Sequence, residues 1–351
     1  MIIKKDSEEA KLIAKLAEHS YTANVDTVVS SVFFNKHSIQ FNCTKNIFNI
    51  ELKIETGLDN YYVIDNKEFI EYLIGSVSNK DTEITFVGGA AKIDNISCSC
   101  SENNEDDITD SVTDSAEKIE LFAFTKEQFE ELEKDFEISS YCSEAQKVYD
   151  TICFAFSNGK VYEYCPSYFA KLSNIKATID DVALDQNFGH KTEIYIIPRT
   201  LYNMFKGSDV KVYLLDSNLT FSNNLLSVNL RSEAFGTAMF LKRLRTISNN
   251  FEKSASFFKD IKKVINTFKI FEDIQEESVY LTVKNNKIDV GYGELKFSVD
   301  TSSNENVSIS EYFNIIKYFA NTFTQDTKYL IEDDLIVFKN NSDYYFAKFS
   351  E

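Results

Sequence analysis

Short polar turns followed by stretches that alternate apolar and polar residues recur along the whole chain. Asn35-Lys36-His37 leads into Ser38-Ile39-Gln40-Phe41, Gly88-Gly89 into Ala90-Ala91-Lys92-Ile93 (the weakest copy), and Ser157-Asn158-Gly159 into Lys160-Val161-Tyr162. Asp216-Ser217 leads into Asn218-Leu219-Thr220-Phe221, Asn285-Asn286 into Lys287-Ile288-Asp289-Val290, and Asp333-Asp334 into Leu335-Ile336-Val337-Phe338. A turn-tolerant pair followed by two-residue periodicity predicts a β-hairpin at each place. The strand centres fall near residues 39, 93, 161, 219, 288 and 336, a mean spacing of about 59, and a fixed period of this kind marks one repeated unit.

Helix starts keep step with the hairpins. Asp6-Ser7-Glu8-Glu9, Asp65-Asn66-Lys67-Glu68, Thr125-Lys126-Glu127-Gln128 and Ser308-Ile309-Ser310-Glu311 have the spacing of a capping box, in which a side chain at each end satisfies an orphan amide. Pro198 stands where a helix begins, a place proline favours because its φ is already helical. Behind these starts, apolar residues recur every three or four positions: Leu12, Ile13 and Leu16; Phe69, Ile70 and Leu73; Phe129, Leu132 and Phe136; Leu201, Met204 and Phe205; Phe313, Ile316 and Phe319. A sixth helix is expected over 257–268, with Ile261, Val264 and Ile265 on one face. Helices with a single apolar stripe must bury it against a sheet. The pattern therefore predicts an α+β chain of six helix-plus-meander units. Paired, they give three similar domains over residues 1–120, 121–236 and 237–351, with helices on one side and sheets on the other.

Composition narrows what such a chain does. It has 351 residues, 43% of them hydrophobic, with two prolines and ten glycines, which excludes a mainly disordered or collagen-like chain. The formal net charge of −18 excludes a uniformly basic protein that coats nucleic acid, but not a local basic face. No apolar run of about 18 residues occurs, so no membrane-spanning helix is expected. The start of the chain lacks the apolar stretch of a signal peptide, and a cytoplasmic location is expected. Six cysteines without a CxxC pair fit free thiols in a reducing compartment, and three scattered histidines argue against a zinc site.

The charge is segregated. Residues 101–117 carry seven acids and no Lys or Arg. They form either a solvated loop or a metal-binding cluster, and the spacing of a calcium loop is missing; no metal or cofactor is expected. Asp180, Asp181 and Asp185 are treated alike. Residues 238–270 instead hold eight basic residues, among them Lys242, Arg243 and Arg245, against Glu252 and Asp260. Further cations fall on the expected helices. The candidate DNA-facing set is Lys11, Lys15, Lys67, Lys126, Lys134, Arg199, Lys206, Lys259, Lys262, Lys263 and Lys317. A protein acidic overall but basic on chosen helices holds a polyanion at one face and repels it elsewhere.

With these elements in place, the chain resembles the bacterial β-type DNA polymerase sliding clamp, in a divergent, phage-like form. The resemblance rests on order and spacing. Ile194-Tyr195-Ile196-Ile197-Pro198-Arg199 looks like the family's strand that ends in a Pro-Arg helix start, Lys242-Arg243-Leu244 like its connector to the third domain, and 277–286 like that domain's first hairpin. Cys165-Pro166-Ser167-Tyr168 departs from the family's turn in the second domain, and the family's Pro-containing C-terminal signature is absent. The resemblance implies a non-enzymatic processivity factor. Two copies would close head to tail as a homodimer around double-stranded DNA, with helices lining the ring, and a separate clamp loader would place it. DNA polymerase and other partners would dock peptides in a groove whose candidate lining, carried over by position, is Tyr164, Pro166, Phe169, Leu244, Tyr345, Phe346 and Phe349. Two other functions stay open from the residues alone: a metal-dependent nuclease using the many carboxylates, and a β-rich virion or interaction protein. Neither a P-loop nor a GxSxG elbow is present, so the sequence points to no catalytic residue.

Overall fold

All six turns form hairpins where the pattern places them. In chain order the paired strands are Val29–Phe34 with Ser38–Cys43, Thr85–Val87 with Ala90–Ile93, Thr151–Ser157 with Lys160–Tyr164, Val210–Leu215 with Asn218–Ser222, Ser278–Lys284 with Lys287–Tyr292, and Lys328–Glu332 with Leu335–Asn340. Several of the turns use left-handed backbone: Asn158 and Gly159 sit at φ 52° and 68°, and Asn285 and Asn286 at 53° and 58°, whereas the first turn closes with Asn35 Oδ1 accepting from the His37 and Ser38 amides. Two consecutive left-handed residues match the twist of the flanking strands.

The computed structural model describes residues 1–18, 29–43, 48–103, 118–140, 151–165, 170–232, 237–267 and 278–349. Nine helices lie among them: α1 (Glu8–Glu18), α2 (Lys67–Asn79), α3 (Lys126–Glu130), α4 (Glu133–Ser140), α5 (Asp181–Phe188), α6 (Arg199–Phe205), α7 (Thr237–Thr246), α8 (Phe258–Thr267) and α9 (Phe313–Thr322). Their caps largely follow the sequence. Asn66 Oδ1 accepts from the Phe69 amide at the start of α2, and Thr125 and Gln128 form a reciprocal capping box on α3. Pro198 is the cap residue of α6, one position before its first turn.

Three expectations are corrected. Ser308-Ile309-Ser310-Glu311 does not cap a helix; it lies in strand Val307–Tyr312, and α9 starts at Phe313. The buried alternation of Val307, Ile309 and Glu311 outweighs the local cap signal there. The helix expected behind Thr125 is broken into α3 and α4. Asp180, Asp181 and Asp185 are not loop residues: Asp180 caps α5 by accepting from the Val182 and Ala183 amides, and Asp181 and Asp185 lie within that helix.

Backbone contacts divide the chain into two compact units, residues 1–132, 156–160 and 176–234, and residues 133–155, 161–175 and 235–351. The first unit is built on one ten-stranded sheet. Within it, strand Phe48–Lys53 pairs antiparallel with Leu226–Leu230, Ile50 facing Val228. Two meanders far apart in sequence thus become one continuous sheet. Ile50, Leu52, Leu226, Val228 and Leu230 are all buried along this seam. The α1 and α2 helices pack on each other, and Ile13, Leu16, Phe69 and Leu73 on them are buried.

The second unit repeats the device. Strand Ala170–Asn174 pairs antiparallel with Asp343–Lys348, Lys171 facing Tyr345, and Leu335–Asn340, Lys328–Glu332 and Lys253–Ser254 extend the sheet. A separate four-stranded sheet runs Leu295–Asp300, Lys287–Tyr292, Ser278–Lys284, Val307–Tyr312. Between them lies a core of Phe257, Phe258, Ile261, Val264, Phe313, Ile316, Phe319, Phe323 and Phe338. The α8 and α9 helices bury their apolar stripes here, Phe258 meeting Phe319 edge-on at 5.7 Å.

Candidate functional site: cationic helices and a buried aromatic cluster

On α8, Ile261 and Val264 are buried while Lys259, Lys262 and Lys263 are exposed. The i, i+3, i+4 spacing puts the three ammonium groups on one outer face. Lys263 also pairs with Asp260 at 2.7 Å. Lys317 is exposed on α9, which packs against α8, so these four cations share one layer of the second unit. Lys134 is exposed on α4.

The first-unit cations are placed less uniformly. Lys11 is exposed on α1, but the half-buried Lys15 donates to the Asn203 carbonyl at 2.6 Å. Lys67 opens α2 and stands 3.7 Å from Glu71. Lys126 opens α3, its amide donating to Asp209. Arg199 is half-buried at the start of α6, and Lys206 closes that helix with its ammonium 5.5 Å from the Tyr202 ring.

The candidate groove residues split into two groups. Tyr164 and Phe346 are brought together by Arg243, which the sequence marks only as a basic residue of the connector. Arg243 is 2% exposed on α7. Its Nη1 donates to Tyr164 Oη at 3.0 Å and to the Cys165 carbonyl at 3.5 Å. Its guanidinium lies 5.1 Å from the Phe346 ring and 5.5 Å from the Tyr164 ring. Burial pushes the Tyr164 phenol up to about 12, against the downward pull of the guanidinium beside it. Phe240, one helical turn before Arg243, meets the Tyr164 ring edge-on at 5.3 Å. Leu244 is half-buried next to this cluster. A guanidinium sandwiched by rings is held by cation–π attraction. The alternation of a strand sends Tyr345 to the other side, into the core against Phe319, Phe323 and Tyr318. Phe349 is half-buried, with its amide donating to the Asp334 carbonyl at 2.8 Å. Pro166 and Phe169 lie outside the described residues.

A buried ion pair adjoins the rings. Lys171 Nζ binds Asp135 Oδ1, with the two side chains 11% and 5% exposed. Burial pulls the Lys171 ammonium down, but the fields of Asp135, Glu163 and Asp343 outweigh it and leave the group above the ordinary lysine range.

Helix-and-meander units fused edge to edge into long sheets are the architecture of the β sliding clamps. Solved structures share it with this chain over the full length. The DNA polymerase III β subunit of Caulobacter crescentus superposes with a TM-score of 0.63 at 12% identity, covering 100% of this chain and 99% of that one. The subunit β of Pseudomonas aeruginosa gives 0.61 at 11%, with the same coverage. The Helicobacter pylori β clamp, solved with a DNA ligase peptide bound, gives 0.61 at 10%, again with that coverage. No protein-family model and no curated protein sequence matches the chain.

Proposed function

We propose that this chain is a DNA polymerase processivity factor: a sliding clamp in which two copies, each of three domains (residues 1–120, 121–236 and 237–351), close head to tail around duplex DNA. The observation that carries it is the clamp fold running through the entire chain, joined to exposed lysines on its helices. Lys259, Lys262, Lys263 and Lys317 supply mobile, sequence-independent phosphate contacts in the second unit, and Lys11, Lys67, Lys126, Lys134, Arg199 and Lys206 extend the set. Lys15, tied to Asn203, contributes least. The ring works by topology: encirclement, not grip, keeps the clamp near the primer end, and tethering raises the polymerase's effective concentration there.

Closure needs complementary edges. Among the described residues, strand Leu295–Asp300 ends the four-stranded sheet, and Ile96–Ser99 ends the three-stranded sheet of residues 85–99. Unpaired edges of this kind invite pairing with another chain, and a heterologous contact that closes forms a ring. A partner's peptide, with polymerase the first candidate, docks at the half-buried Leu244 beside the buried cluster of Arg243, Tyr164 and Phe346. A separate clamp loader opens the ring.

Mass measurement in solution tests closure, with a dimer expected; a strict monomer at all concentrations refutes the ring. Competition by a polymerase-tail peptide tests the groove. Phe346→Ala removes one wall of the Arg243 cluster and should weaken the peptide, whereas unchanged affinity discards the groove.

A further inference from the structure

One half-buried face of the second unit sets like charges against each other. Lys328 and Lys339 are direct partners across neighbouring antiparallel strands, and Tyr344 is the partner of Lys339 on the next strand. Residues opposite each other in such a ladder point to the same side of the sheet. Two ammonium groups and a phenol ring therefore stand in a row on three successive strands. Among the described residues neither lysine has a carboxylate within ion-pairing distance. Directly opposed like charges destabilise a sheet, so the arrangement costs the fold energy unless something neutralises it.

The same two lysines line a depression of about 440 Å³, together with Asn249, Asn250, Phe251, Thr324, Asp326, the strand-end Asn340 and the turn residue Asn341. Asp326 is the single acid among the lining residues, which leaves a local excess of one positive charge in a chain of −18. Aromatic surface is supplied at the same spot. The Phe251 and Tyr344 rings are 5.8 Å apart, and the Lys339 ammonium lies 5.8 Å from Tyr344 and 6.0 Å from Phe251. Asn340 and Asn341 stand at the start of strand Asp343–Lys348, while Phe349 follows its other end, so this site is not the Phe349 end of the candidate peptide groove.

The repeat makes the same site twice. Shifted by 117 positions, Asp326, Lys328, Asn340 and Asn341 fall on Asp209, Lys211, Asn223 and Asn224, with the residue types unchanged. Those four line a depression of about 720 Å³ in the first unit, with Lys53, Tyr213, Ser208 and Ser222. Again there are two lysines, one acid, amides and an aromatic ring. Asp209 and Asn223 have local work: Asp209 accepts from the Lys126 amide, and Asn223 Oδ1 from the Leu225 and Leu226 amides. Lys211 is paired with Glu120. The unneutralised pair, Lys328 and Lys339, makes the second-unit copy the stronger anion site.

We propose that the depression between Lys328, Lys339, Phe251 and Asn341 binds the phosphate of a nucleotide unit, with the neighbouring ring faces taking its base. Lysine donors beside stackable rings and amides are the combination that holds single-stranded nucleic acid without reading its sequence. The site needs neither encirclement nor a dimer, so it stands or falls separately from the ring.

The test uses the full chain and three probes: inorganic phosphate, AMP, and a labelled ten-residue thymidine oligonucleotide. Anisotropy at low salt should show the oligonucleotide binding. The Lys328→Gln, Lys339→Gln pair should weaken it about tenfold and flatten the salt dependence by about 0.7 in slope per lysine removed. Lys287→Gln, on the other sheet, should leave it unchanged. Because repulsion is relieved, Lys328→Gln should melt at or above the wild-type temperature, which confirms folding. Phosphate or AMP raising the melting temperature of the wild type but not of the double variant points to free nucleotides as the source, and oligonucleotide binding alone points to a strand. Binding by none of the probes, or binding indifferent to both lysines, overturns the proposal. So does lysine-dependent binding of an oligoglutamate peptide in place of the nucleotides.

Discussion

Replacing Lys171 by Met should damage the second unit far more than replacing its visible partner. Lys171 sits at 9% exposure on strand Ala170–Asn174, and Asp135 on α4 at 3%. Glu163, 6% exposed, and Asp343 act on the same ammonium. Lys171→Met leaves Asp135 and Glu163 buried with no cation between them. Removing one partner of a buried pair costs about 3–5 kcal/mol, and a second nearby carboxylate places this case at the upper end. Asp135→Asn keeps a hydrogen-bonding shape and leaves Lys171 with two other carboxylates, so about 1–2 kcal/mol is expected. Converting both, Lys171→Met with Asp135→Leu, should recover much of the loss, since an apolar pair of similar volume often replaces a buried ion pair at little cost. The lysine is held above its ordinary range, so its contribution is complete below about pH 10.5 and fades only as pH rises beyond it. Urea unfolding of the four proteins at pH 7, followed by far-UV circular dichroism, gives the comparison. A loss below about 1 kcal/mol for Lys171→Met would refute the claim that this cation holds α4 to the sheet.

Three further outcomes follow from single features. Burial pushes the Glu311 carboxyl up to about 7 against the pull of the Lys348 and Tyr312 amides; stability should therefore fall by at most about 3 kcal/mol as pH rises from about 4.5 through 7, and Glu311→Gln should flatten that dependence in a pH series of urea melts. Gly291→Ala places a Cβ 1.9 Å from Tyr280 Cζ, so the ring must swing off the sheet at a cost of about 1–2 kcal/mol; Tyr280→Ala in the same chain should abolish that cost in thermal melts. Thr125→Ala removes the half of the α3 capping box in which Thr125 Oγ1 accepts from the Gln128 amide and should cost about 1 kcal/mol, read by urea unfolding of the first unit.

Much of this fold is written in local pattern. Hairpin turns such as Asn285-Asn286 need left-handed backbone, a requirement that few residue pairs meet, and the Asn35 turn is closed by its own side chain, so the turn residues mark all six hairpins. Caps with a side-chain acceptor before an apolar stripe located α1, α2 and α3. The signal failed where two patterns overlapped: 308–311 reads as a cap by spacing, yet it alternates, and burial on one sheet face decided it. The α7 helix was missed because its residues read as a charged connector. The edge-to-edge seams, Ile50 with Val228 and Lys171 with Tyr345, join residues more than a hundred positions apart, and no local signal encodes them. For the same reason Arg243 was legible only as a charge. Its neighbours Tyr164 and Phe346 come from distant strands, and pairing across the sheet is what turns a basic residue into the centre of an aromatic cluster.

Retention on DNA circles tests the central claim most directly. The protein, loaded by a clamp loader onto a nicked circular duplex and passed through a sizing column at high salt, should stay with the circle. Cutting that circle once should release it. Equal retention on both forms, or loss from both, would contradict a clamp held by topology.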